Sequence, residues 1–310
     1  ARLPGGACAA GEHRVNPLIA ALPGSTAFAA ALRQHAALES LHIDLHRFPD
    51  GECLVRLDGE LRGRDLLLVC SLNAPDDKLL PLLFAASTAR DLGAQRVILV
   101  APYLAYMRQD RRFHAGEAIS SRPFAALLSA AFDGLVTVDP HLHRYRNLRE
   151  LYSIPARAVA AAPDLAGWIV REAPSPLIVG PDEESAQWAQ DVAARAAAPC
   201  IVLRKTRLGD REVSIDPPPP GMHAGRTPVL IDDIISTGRT LLQAARVLRA
   251  QGYAAPVCVG VHALCPAPAY EELRAGVARV VSCNTVEHAS NAIDVAPAVW
   301  RAAQEMLGPD

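Results

Sequence analysis

No run of apolar residues in this 310-residue chain approaches the roughly 20 that a bilayer-spanning helix needs. The longest, such as Asp65-Leu-Leu-Leu-Val-Cys-Ser71 and Arg96-Val-Ile-Leu-Val-Ala-Pro102, are short and closed by polar or turn residues, so no membrane span is expected. Ala1 to Ala10 lacks a sustained apolar stretch between a basic start and a cleavage site, which argues against a secretory signal. An excess of charge is also missing. A formal net charge of −2 gives no general attraction to nucleic acid or to an anionic membrane, so any phosphate must be held by local clusters. The seven cysteines (Cys8, Cys53, Cys70, Cys200, Cys258, Cys265 and Cys283) are odd in number, scattered, and contain no Cys-x-x-Cys pair. They read as small buried hydrophobes in a reducing cytoplasm, not as a disulfide framework.

What is present is a chain long enough for about two domains, with half its residues hydrophobic. Strand-like and helix-like segments alternate in both halves, which predicts two α/β domains of related topology, each a mostly parallel sheet flanked by helices. The stretch that organises the reading is Val229-Leu-Ile-Asp-Asp-Ile-Ile-Ser-Thr-Gly-Arg-Thr-Leu-Leu242. Val229 to Ile231 suits a buried parallel strand, Gly238 lets the backbone approach a ligand, and the N–H groups of Ser236 to Thr240 would open a helix facing a phosphate. The paired acids Asp232 and Asp233 require a different partner. Phosphate repels carboxylates, so ribose hydroxyls or a metal ion are expected between them, and the combination points to a phosphorylated sugar. A capped helix start with two solvated acids is the bland alternative.

This motif resembles the ribose-phosphate loop of the type I phosphoribosyltransferase fold, which phosphoribosyltransferases share with ribose-phosphate pyrophosphokinase. Other segments resemble the pyrophosphokinases specifically. Phe48-Pro-Asp-Gly-Glu52, by itself only a turn sequence, is similar to a segment that in that family reaches the adenine of ATP on a neighbouring subunit, and the match implies adenine contacts for Phe48, Asp50 and Glu52 and at least a dimer. Pro102-Tyr-Leu-Ala-Tyr-Met-Arg-Gln-Asp-Arg-Arg112 follows a strand end, where ligands of parallel sheets gather, although on charge alone it could be a solvated basic face. It resembles the family's ATP segment, which implies that Arg108 and Gln109 hold ATP phosphate and adenine with Asp110 nearby.

His141 and His143, two apart in Asp139-Pro-His-Leu-His-Arg144, share a face if extended and could bind a metal as neutral imidazoles. The absence of a third soft ligand nearby in the sequence argues against structural zinc. The family's Asp-x-His places its histidine close to magnesium, which implies the metal role for His141 and leaves His143 as scaffold. Gly180-Pro-Asp-Glu-Glu-Ser185 matches a metal-associated loop at Asp182, but Glu183 and Glu184 stand where the family has small residues, so these acids either face solvent or enlarge the metal site. Lys205 and Arg207 fall on one face of an expected hairpin; a charged edge strand would explain them, and the family's catalytic flexible loop carries Lys-x-Arg here.

Carried over residue by residue, the resemblance implies transfer of the pyrophosphate group of Mg-ATP to the C1 hydroxyl of ribose 5-phosphate, giving phosphoribosyl pyrophosphate and AMP. Asp232, Asp233, Ser236, Thr237, Gly238, Arg239 and Thr240 would hold the sugar phosphate, Lys205 and Arg207 would be catalytic, and His141 with Asp182 would hold Mg2+. A non-catalytic regulatory paralogue and an ordinary phosphoribosyltransferase remain alternatives. The expected division is into residues 1–155, carrying the ATP side, and 156–310, carrying the sugar-phosphate side, with a hinge between Leu151 and Ala162.

Overall fold

Strands buried on both faces of a parallel sheet read as continuous apolar runs rather than alternating ones. The computed structural model, which describes residues 16–207, 213–216 and 222–308, builds two six-stranded sheets from such runs. The first half runs β1 (Leu18–Ala21), α1 (Thr26–His35), β2 (Glu39–Ser40), a hairpin of β3 (His42–Arg47) and β4 (Cys53–Asp58), then β5 (Asp65–Val69), α2 (Pro75–Asp91), β6 (Arg96–Ala101), α3 (Ser121–Ala131), β7 (Gly134–Val138) and β8 (Ala156–Val159). Its sheet has the order β2-β1-β5-β6-β7-β8, parallel throughout.

The second half runs α4 (Ala162–Glu172), β9 (Pro176–Gly180), α5 (Ala186–Arg195), β10 (Cys200–Val202), a hairpin of β11 (Arg204–Arg207) and β12 (Val213–Asp216), then β13 (Thr227–Ile235), α6 (Arg239–Ala250), β14 (Val257–Ala263), α7 (Ala267–Gly276), β15 (Arg279–Cys283), β16 (Asn291–Ile293) and α8 (Ala296–Leu307). Its order, β10-β9-β13-β14-β15-β16, repeats the first with β9 in the place of β1, and an antiparallel hairpin again follows the edge strand. The expected pair of related α/β domains is therefore present.

The halves are joined by one core. Ile19, Leu67, Val100 and Val136 of the first sheet and Ile178, Val229, Val259 and Val281 of the second belong to a single buried cluster with α1, α4, α5 and α8 between them. Helices α2 and α3 cover the outer face of the first sheet, and α6 and α7 that of the second. The segment expected to be a hinge is not free: Tyr152 is buried and β8 pairs in register with β7, Leu135 opposite Ala156. Pairing places β8 in the first sheet, although the expected boundary put residues 156 onward in the second half. Strands β1 and β16 have no counterpart in the sequence reading, being four and three residues long; runs so short carry too few apolar residues to show a period.

Candidate active site

In parallel sheets ligands collect beyond the carboxyl ends of the strands. Here the ends of β7, β9 and β13 open onto one cleft of about 780 Å³, lined by Arg108, His141, Asp182, Trp188, Asp232 and Asp233 among others. Strand β13 extends past the expected Ile231 to Ile235, so both acids sit on the strand itself, not in the loop. Asp233 reaches across the seam between the halves: its Oδ2 lies 2.6 Å from His141 Nδ1, a residue 92 positions away. Burial works to raise the Asp233 carboxyl, but the hydrogen bond and charge of His141 prevail and hold it low. Asp232 moves the other way, raised by burial and by the charge of Asp233 beside it.

The seam has two further ties. Ser71 Oγ donates to the Thr285 carbonyl oxygen. His262, at 1% exposure, sets Nε2 3.3 Å from the Asp139 carbonyl and Nδ1 2.8 Å from Thr285 Oγ1, with Tyr103 edge-on at 5.0 Å between ring centroids. Asp139 itself, at the end of β7, has φ +31°, a conformation that a non-glycine residue holds only when its surroundings enforce it. They do: its N–H donates to the Val159 carbonyl, and its Oδ2 accepts from Ala161 N at 2.9 Å. Burial pushes the Asp139 carboxyl up to about 6.

After β13, Ser236 and Thr240 line the cleft, while Thr237 and Arg239 are exposed. Gly238 caps α6 at φ +67°, and a Cβ there would meet the Leu273 side chain at 3.2 Å, so both backbone conformation and the close approach of α7 call for glycine. The β9 loop is tied by Ser185, whose Oγ donates to the Asp182 carbonyl at 2.7 Å and whose N–H donates to Asp182 Oδ1 at 3.2 Å. Glu183 and Glu184 are both exposed, and only Glu184 borders the cleft.

The remaining predicted residues divide. Arg108 is exposed on the cleft wall, and Gln109 is exposed with its Oε1 3.4 Å from Ser120 Oγ. Asp110, expected near the nucleotide, has a buried carboxylate held by Arg144 Nη1 at 2.8 and 2.9 Å. Phe48, Asp50 and Glu52 form the exposed tip of the β3–β4 hairpin and do not line the cleft, with Phe48 edge-on to His46 and Asp50 Oδ1 accepting from Glu52 N. Lys205 and Arg207 lie two apart on β11, paired with Ile215 and Val213, so their backbone shares one hairpin face.

His143 lies with its ring centroid 3.9 Å from that of His141, and His141, His143 and Asp233 bring one donor atom each within 4.8 Å of one another. The i, i+2 spacing of the histidines was visible. Their third partner, on a strand of the other half, was not.

Two repeated parallel sheets with a carboxylate pair ahead of a glycine-capped helix define a protein of two phosphoribosyltransferase-type domains. Residues 18–131 match the model for the N-terminal domain of ribose phosphate pyrophosphokinase, and residues 147–300 that for the phosphoribosyl transferase domain. The ribose-phosphate pyrophosphokinase of Methanopyrus kandleri is 37% identical over 281 residues, covering 89% of this chain and 95% of its own. That of Saccharolobus solfataricus is 37% identical over 247 residues, covering 77% and 82%. The crystal structure of phosphoribosylpyrophosphate synthetase from Mycobacterium smegmatis superposes with a TM-score of 0.82 at 24% identity, over 94% of this chain and 99% of that one, and supports the fold. The chain belongs to the ribose-phosphate pyrophosphokinase family and is an enzyme of the transferase class.

Proposed function

We propose that this chain transfers the pyrophosphate group of Mg-ATP to the C1 hydroxyl of ribose 5-phosphate, forming phosphoribosyl pyrophosphate and AMP. The observation that carries this reading is the contact between His141 of the first half and Asp233 of the second, at the head of the β13 loop. That contact brings the Asp139-Pro-His141 segment and the β13 acids together in one cleft, which supports a shared role in the reaction.

The donor chemistry suits a divalent cation. Asp232 and Asp233 are adjacent carboxylates, one of them raised by burial and by its neighbour's charge, and a cation relieves that repulsion. Asp232, Asp233, Asp182 and His141 are the residues that would hold magnesium, which when bound neutralises charge on the phosphate oxygens. The chain's own residues position the reactants. Asp232 and Asp233 accept hydrogen bonds from ribose hydroxyls, and the turn from Ser236 to Thr240 receives the 5-phosphate on backbone N–H groups. Arg108 faces the ATP phosphates from the opposite wall, and Lys205 with Arg207 stabilise the charge that grows on the transferring group. The C1 oxygen bonds to the β-phosphorus as the bond from that phosphorus to the α–β bridging oxygen breaks, and AMP leaves. The exposed tip at Phe48, Asp50 and Glu52 serves the adenine of a neighbouring copy, which makes the active form at least a dimer.

Incubating the protein with Mg-ATP and ribose 5-phosphate should yield AMP and phosphoribosyl pyrophosphate in equal amounts. ADP as the nucleotide product, or no turnover while ribose 5-phosphate still binds, would refute the assignment.

A further inference from the structure

We infer that Arg144 is a positioning residue for ATP: through the buried carboxylate of Asp110 it fixes the segment that presents Arg108 to the nucleotide phosphates, and it ties that segment to the one carrying His141. This deepens the proposed function and rests on its assignment of the cleft to a nucleotide.

Neither segment is held by regular structure. Residues 102–120, between β6 and α3, and 139–147, after β7, contain no helix or strand, so individual side-chain and backbone bonds must fix them against the entropy of a free loop. The first segment is tied at three points. Tyr106, at φ +62°, donates its hydroxyl to the Asp76 carboxylate of α2 and packs on Phe124 of α3 at 4.9 Å between ring centroids. Ser121 N donates to the Gln109 carbonyl at 3.3 Å. The Asp110 carboxylate, 2% exposed, accepts from Arg144 Nη1 through both oxygens, at 2.8 and 2.9 Å. Of the three ties, only the last reaches the segment that carries His141. It is also the one with a charge at stake. No other side chain among the described residues pairs with the Asp110 carboxylate, so without Arg144 that charge stays buried and unpaired or turns its segment outward to reach water. Arg108 lies two residues from Asp110 and lines the cleft, so such a turn carries its guanidinium away from the nucleotide. His141 lies three residues from Arg144 and is fixed by Asp233 at 2.6 Å. The ion pair therefore sets how far the cation facing the ATP phosphates stands from the seam where the sugar phosphate meets them.

The test measures Mg-ATP and ribose 5-phosphate binding by calorimetry, together with turnover and thermal denaturation, for the wild type, Arg144→Ala, Arg144→Lys, Asp110→Asn and the double variant Asp110→Asn/Arg144→Ala. Arg144→Ala should weaken Mg-ATP binding and lower kcat/KM for ATP on the order of 10²-fold, the cost of a misplacement of about 1 Å, while ribose 5-phosphate binds as in the wild type. Arg144→Lys keeps a counter-charge but not the planar fork, and should recover part of the loss. The double variant should lose no more than Arg144→Ala, because both substitutions remove one interaction. It also leaves no unpaired buried charge, so it decides the outcome if Arg144→Ala does not fold: near wild-type thermal stability with weakened Mg-ATP is the expected result. Equal weakening of both substrates, lost thermal stability with Mg-ATP affinity intact, or losses that add in the double variant overturn the inference. Formation of AMP by the wild type tests the catalytic reading separately. Mg-ATP binding that depends on Arg144 without any AMP removes the catalytic reading alone, and AMP formed by Arg144→Ala at the wild-type kcat/KM for ATP removes the Arg144 assignment alone.

Discussion

His262 illustrates what a single buried residue contributes. Its ring bridges the halves, and burial pushes it down to about 4 from an ordinary value of 6.5. Between those values the unfolded chain binds a proton that the folded chain refuses. Its contribution to stability is therefore complete above about pH 6.5 and is lost as pH falls toward 4, an effect on the order of 3 kcal/mol. Asp139 acts in the opposite sense, since its carboxyl is raised from 3.8 to about 6 and the folded chain holds the extra proton between them. Comparing urea midpoints of the wild type and His262→Asn from pH 8 to pH 4 separates the two, because Asp139 is common to both. The variant should show a shallower acid loss; an identical slope would exclude His262 as the cause. At the cleft itself, His141→Ala leaves Asp233 without its partner. Turnover should fall on the order of 10²-fold or more, about 3 kcal/mol of transition-state stabilisation, and a rate within a few-fold of wild type would show that the contact serves packing only.

On the proposed function, the loop after β13 would hold the sugar phosphate and the β11–β12 hairpin would serve the transferring group. Gly238 combines φ +67° with Leu273 3.2 Å from any added Cβ, so Gly238→Ala should cost about 1–2 kcal/mol in backbone strain alone. The KM for ribose 5-phosphate should rise as the turn shifts. Adding Leu273→Ala relieves the contact but not the dihedral, so the double variant should keep a raised KM; full recovery would mean that the clash, not the backbone, sets the turn. On the other hairpin, Lys205→Ala or Arg207→Ala should lower kcat on the order of 10²-fold with little change in KM for either substrate. A loss confined to KM would make these residues binders rather than transition-state stabilisers. The first half repeats the strand-to-helix connection that follows β13. Its counterpart segment, between β5 and α2, faces an ammonium: Lys78 Nζ donates to the Ser71 carbonyl and to Asn73 Oδ1, both at 2.7 Å. A turn that presents oxygens to a cation is the inverse of an anion cradle.

Across the whole molecule, the last helix returns to the first sheet. α8 packs against α1, β7 and β8, and Arg96 at the start of β6 donates to the Met306 and Leu307 carbonyls while pairing with Asp65. Cationic donors at a helix C-terminus satisfy carbonyls that have no partner within the helix. Arg96→Ala should therefore lower stability by about 2 kcal/mol or more, with faster hydrogen exchange concentrated in α8. Unchanged exchange there would show that the apolar core alone holds the helix.

The sequence alone determined most elements, because their cause is local. Apolar runs bounded by polar residues, Asp65 to Ser71 and Arg96 to Pro102, became β5 and β6, and the run opening at Val229 became β13. It also marked the cleft residues, since Asp232-Asp233 and the turn to Thr240 form one contiguous stretch. Only the tertiary structure decided what lies opposite. The pairing of His141 with Asp233, the commitment of Asp110 to Arg144, the approach of Asp233 to both His141 and His143, and the return of α8 all depend on residues far apart in the chain. The physical reason is that a strand or turn is specified by its own side chains, whereas a site between two sheets exists only once their shared core has fixed the distance between them.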